Sequence, residues 1–122
     1  LVREKPDLVR RFMEGTIAGW YNYMYGDRAA ANALIRRDNP DMTEEYIEAS
    51  VKLMKDLQIV DSGDALTRGI GAMSEERVKS FYDKMVTAGL YKPGEVDLSK
   101  VATTQFVNKG FGLDIKRRLG GR

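Results

Sequence analysis

Apolar positions three and four residues apart govern the first half of the chain. From Pro6 they fall at Leu8, Val9, Phe12, Met13, Ile17, Trp20, Tyr21 and Met24, the spacing of a helix with one apolar face. Pro6 suits the first turn, where a missing N–H costs nothing. Asp7 complements the positive end of the helix dipole. Gly26 ends this helix, and Asp27 is placed to cap the next. The second helix, DRAAANALIRR, offers Leu34 and Ile35 for burial and alanines for close packing. It fails before Asn39-Pro40, because the residue before proline is pushed out of the helical region. The third starts at Asp41 or Thr43, two competing caps, and carries the stripe Ile47, Val51, Met54 and Leu57.

The pattern then breaks. DSGDALTRGIGAM is too glycine-rich for a stable helix and too irregular for a strand. The next helix has its start and stop written into it. Ser74 is the N-cap, Glu75 and Glu76 sit in the first turn, and Met73 with Val78 forms a hydrophobic staple. Val78, Phe81, Tyr82 and Met85 make the stripe expected to be buried, and Gly89-Leu90 closes the last turn. Pro93-Gly94 reads as a tight turn. Asp97 or Ser99 starts a short helical turn near Leu98 to Val101, and Thr103 or Thr104 caps a short helix through Val107 that ends at Gly110. The tail GLDIKRRLGGR is basic and expected to be at most partly ordered. There is no convincing alternating strand and no internal repeat. The reading is a mainly α chain of about five helices, with residues 1–110 as the helical segment and 111–122 as the tail.

Composition narrows the function classes. The chain has 122 residues, the size of one domain, with 43% hydrophobic and 31% charged residues, so wholesale disorder is excluded. With 20 Lys+Arg against 18 Asp+Glu the net charge is +2, too balanced to point to nucleic acid or an anionic membrane. Cys and His are both absent, which removes disulfides, thiol nucleophiles, histidine bases and the usual zinc ligands. No apolar run approaches the roughly 18 residues of a membrane span. LVREKPDLVRR has no apolar core for a signal peptide and no starting Met, so Leu1 reads as a cut.

Features that could carry chemistry have plainer readings. The cluster WYNYMY, Trp20 to Tyr25, is distributed over several helix faces and cannot all line one pocket, which favours packing over stacking on a ligand. Gly15 and Gly19 make a GxxxG spacing, read as close approach to another helix. GIGAMS lacks the third glycine and the preceding strand of a dinucleotide fingerprint. Glu44, Glu45 and Glu48, like Glu75, Glu76 and Asp83, fall on polar helix faces, where nothing separates their pKa values for acid–base work. Lys116, Arg117 and Arg118 have no aromatic neighbour for stacking on bases. No catalytic residue, metal ligand or cofactor is assigned, and no enzyme is expected.

Several phrases taken in order carry a family resemblance. EKPDLVRRFMEGTIAGW resembles the return from the second lobe in solute-binding proteins of the thiamine-pyrimidine and alkanesulfonate/taurine type. NPDMTEEYIEASVKLM is similar to their next helix, and GDALTRGIGAMSEERVKSFYDKMVTAGL to the glycine-Met turn and helix that follow. VDLSKVATTQFV resembles their closing segment, with Val101-Ala102 where an aromatic is common. The resemblance covers about residues 4 to 107. It implies a two-lobed α/β parent of the type II periplasmic-binding-protein fold, whose cleft captures a small solute such as a pyrimidine or sulfonate and presents it to an ABC permease. This chain would be its C-terminal helical segment, periplasmic, or extracellular and membrane-tethered. Gly69, Ile70, Gly71, Ala72 and Met73 are then the candidate lip of the cleft. Two alternatives stand beside this reading: a self-contained helical module that binds a partner between its helices, and a pyrimidine-synthesis enzyme of the same fold. Helices that evolved to cover a sheet would expose apolar faces, so self-association of the fragment is also expected.

Overall fold

A computed structural model describes residues 1–121, and every regular element among them is helical. The order is α1 (Pro6–Tyr25), α2 (Ala29–Asp38), α3 (Glu44–Asp56), α4 (Ala65–Arg68), α5 (Glu75–Thr87), a 3-10 turn (Leu98–Lys100) and α6 (Leu113–Arg118). The mainly α expectation holds. The two-lobed α/β parent does not. Each lobe of that fold is a sheet covered by helices, whereas here α1 packs on α6, α2 on α3 and α4 on α6, with no strand among the described residues.

Most helix ends follow the local chemistry. Pro6 stands in the first turn of α1. The Asp27 carboxylate accepts the Ala29 N–H at 2.9 Å. Thr43, not Asp41, caps α3, its hydroxyl accepting the Tyr46 N–H. Ser74 caps α5 through the Arg77 N–H, and the Leu90 N–H returns to the Met85 carbonyl past a left-handed Gly89. The differences lie further along. DSGDALTRGIGAM holds the four-residue α4, bracketed by Gly63 and Gly69 at positive φ. Residues 103–110 form turns in place of the expected helix. The basic tail instead holds α6, which packs on α1.

Met24 of α1 and Ile47 and Val51 of α3 are buried, and the main core cluster lies where α1 meets the turns around residues 70 and 112. Ile17, Tyr21 and Ile70 are its buried centre, with Val60, Leu113 and Ile115 packed around them. Tyr21 is fully buried, and its hydroxyl accepts the Ile70 N–H at 3.1 Å. Gly112 makes the close approach possible. It sits at φ +84°, and a Cβ there would fall 2.5 Å from the Tyr21 ring. Beside this centre, the Lys116 ammonium lies 2.9 Å from Asp61 Oδ2, with the two side chains 8% and 3% exposed. The Tyr25 hydroxyl donates to the same oxygen at 2.6 Å. Lys55 and Lys116 both stand over the Tyr25 ring. Burial and the Asp61 charge hold the Tyr25 phenol well above its ordinary range.

Two outcomes test this core. Gly112→Ala combines a strained backbone with overlap on Tyr21 and should cost at least about 2 kcal/mol, read by urea unfolding. Lys116→Met leaves the Asp61 carboxylate buried without its cation and should cost about 3–5 kcal/mol, whereas Lys116→Met with Asp61→Asn should recover part of that loss. A double variant whose loss equals the sum of the Lys116→Met and Asp61→Asn losses would show that the pair is not coupled.

Candidate functional site

The first three helices leave a groove between them. Its volume is about 490 Å³. Thr16, Gly19, Trp20 and Tyr23 of α1 form one wall, Ala31 and Ile35 of α2 close the end, and Ile47, Ser50 and Met54 of α3 form the other wall, with Met42 at the corner. No charged side chain lines it. A larger cleft of about 540 Å³ runs between the start of α5 and residues 98–104, but Glu75, Glu76 and Lys79 line it beside Ser99, Thr103 and Thr104. Only the first is an apolar seat.

A polar network centred on the buried Asn32 links the three helices. Asn32 of α2 is 1% exposed. Its amide donates to Glu44 at 2.8 Å and to Glu48 at 3.1 Å on α3, and its oxygen accepts the Tyr23 hydroxyl of α1 at 3.1 Å. Arg28 then makes a two-pronged contact with Glu48 at 2.8 and 2.9 Å and donates to the Tyr23 carbonyl. The Arg28 hydrogen bonds hold the Glu48 carboxyl below the usual carboxylate range, and burial raises the Tyr23 phenol. Satisfied buried polar groups specify one arrangement more sharply than apolar packing does. The network was missed in the sequence, where Asn32 stood in an alanine-rich run and Leu34 and Ile35 were the residues expected inside; Ile35 is half-buried in the groove wall. Leu34 is 52% exposed. The signal that could have found Asn32 is its position, twelve residues before Glu44 and sixteen before Glu48.

The same helices expose further apolar side chains: Phe12 on α1, Tyr46 and Leu53 on α3, and Leu57 just past the end of α3. Trp20 meets Tyr23 edge to face, with centroids 6.4 Å apart. Gly15 and Gly19 approach no other helix here: a Cβ at either would meet open space. The expected helix contact at GxxxG is therefore not made within this chain.

The residues Gly69 to Met73 lie elsewhere. Ile70 is in the core, and a Cβ on Gly69 would fall 2.8 Å from the Phe111 carbonyl. Met73 exchanges two hydrogen bonds with the Asn108 side chain. Gly71, Ala72 and Met73 touch a small cavity of about 240 Å³ that Asp64 and Arg77 also line. Helix α5 has no fully buried residue: of the stripe expected inside, Val78, Tyr82 and Met85 are half-buried and Phe81 is 64% exposed. Its Tyr82 packs beside Tyr91 and donates to the Lys92 carbonyl at 2.7 Å. Among the described residues no three acidic side chains are grouped to hold a metal ion, and no helix is long and apolar enough to cross a membrane.

No protein-family model, curated protein or solved structure matches the chain. Together with the all-helical fold, this corrects the resemblance to solute-binding proteins. The phrases that carried it are helix caps and stripes, which local physics accounts for residue by residue. The role in ABC import, and the transport reading as a whole, go with it.

One substitution separates groove from scaffold. Gly19→Ala fits the open space and removes a flexible residue from a helix interior, so it should raise stability by about 0.5–1 kcal/mol in thermal or urea unfolding. A loss of stability would mean that Gly19 is already packed.

Proposed function

We propose that the chain is a helical protein-interaction module that acts by binding, without chemistry, and takes an amphipathic partner helix into the groove between α1, α2 and α3. The observation that carries this reading is an apolar groove whose three helices are linked by a satisfied polar network centred on Asn32. Helix-in-groove recognition needs that combination: an apolar seat for anchors at helical spacing, and walls that do not collapse when the seat is empty. The charged pairs Arg28–Glu48 and Arg36–Glu44 lie outside the seat and supply a polar surround.

The exposed area agrees. The chain exposes 9067 Å², where a compact chain of its 13.8 kDa mass exposes about 6,600 Å². Seventeen large hydrophobic side chains are exposed, more than the eight hydrophobics in the core. Surface of that kind is what a partner covers.

Trp20, the only tryptophan, lines the groove and reports on it. A synthetic peptide with leucines at i, i+3, i+4 and i+7 should shift its emission to the blue and saturate, while the same composition with alternating leucines should not. Gly19→Met fills the seat and should weaken the helical peptide roughly tenfold, the effect of about 1.4 kcal/mol. An equal response to both peptides, or none to either, would overturn the reading.

A further inference from the structure

We infer that the groove's occupant is α1 of a second copy of this chain, with Phe12 as the knob and the space over Gly19 as its hole. The inference rests on the helix-in-groove reading above and names the helix. Phe12, Thr16, Gly19 and Tyr23 follow one another at steps of four, three and four, so they share one face of α1. Phe12 projects from that face, 71% exposed, and is absent from the groove lining. Gly19 is the low point of the same face, with nothing within 4 Å of its missing Cβ. Knob and hole are seven residues apart, roughly 10.5 Å along the helix. A surface that carries its own knob and its own hole is self-complementary, which is the requirement of a two-fold interface.

The geometry follows from the numbering. Two α1 helices run antiparallel with the two-fold axis between Gly15 and Thr16. Each Phe12 then stands over the other copy's Gly19. Gly15 sits beside the axis, and its open space lets the two backbones approach. A standard interface takes about 800 Å² from each partner, and the whole chain exposes roughly 2,400 Å² beyond a compact chain of its mass. The net charge of +2 opposes the pairing of two copies only weakly.

Sedimentation equilibrium of the full chain, with Trp20 emission followed over the same concentrations, decides it. The expected result is a dimer whose formation shifts Trp20 to the blue. Phe12→Asp should weaken it roughly thirtyfold or more, as loss of an interface anchor does, while Phe12→Leu largely keeps it. Far-UV circular dichroism checks that both variants stay folded, which the exposure of Phe12 favours. The chain has no cysteine, so Thr16→Cys should oxidise readily to a linked dimer across the axis, and Lys79→Cys on α5 should not. A monomer at every concentration that still responds to the helical leucine peptide overturns the second copy and leaves the groove to another protein. A dimer indifferent to Phe12→Asp and silent at Trp20 overturns the α1 pairing. If the leucine peptide also fails, the groove reading falls with it.

Discussion

Everything in this fold is hung on Tyr21. A tyrosine buried without a partner for its hydroxyl would be costly, and the Ile70 N–H supplies that partner. One hydrogen bond therefore ties the longest helix to a turn 49 residues away. The same ring needs its other side covered, and only a residue without a Cβ can come close enough, which puts Gly112 there. Once residues 70 and 112 are pinned, α4 and α6 have little freedom left. The Asp61–Lys116 pair then closes beside them, with Tyr25 sharing the carboxylate. Burial pushes the Tyr21 phenol up as well, so its proton stays in place.

This arrangement spends one face of α1 and leaves the opposite one open. Ile17, Tyr21 and Met24 point inward; Phe12, Gly15, Thr16, Gly19 and Trp20 do not. Met24 of α1 and Ile47 and Val51 of α3 are buried as well, and Asn32 links α2 to both α1 and α3 with a definite set of hydrogen bonds. That arrangement matters for binding, because it fixes the spacing of the groove's walls. Asn32 is a core residue by burial and a spacer by function.

The local part of the fold was legible in the sequence, and the long-range part was not. Caps, proline stops and the closing glycine of α5 act within four or five residues, so Ser74, Asn39-Pro40 and Gly89 could be read directly, and the cap of α3 was narrowed to Asp41 or Thr43. The stripes gave the right helices but not which half of each stripe is buried. Leu8, Phe12 and Trp20 belong to the same apolar pattern as Ile17 and Tyr21 yet stand in solvent. Periodicity cannot separate a face that meets its own core from one that meets a partner, since both need the same spacing. The tail failed for a related reason. LDIKRR is a poor helix alone, and α6 forms because Tyr21 and Asp61 await it. The resemblance to two-lobed binding proteins was built from capped helices, which recur wherever helices start and stop. Gly69 to Met73 carried its proposed lip because glycines suggest an opening; here they serve a close approach to Phe111.

Helix α5 makes the point most sharply. It has a serine cap, two glutamates in the first turn and a glycine-closed end, and its stripe is at most half-buried. Its ends supply stabilisation that other helices in this chain obtain from packing. A helix secured that way can present an apolar stripe to solvent without fraying. The same logic, applied to α1 by the network at Asn32 and the anchor at Tyr21, explains how a 122-residue chain with so few buried hydrophobics can keep an open groove. Rigidity comes from specific polar and capping contacts, and the apolar surface they leave over is free to be used between molecules. Filling Gly19 would make α1 a better helix and the groove a worse seat, so the glycine is best understood as stability given up for contact.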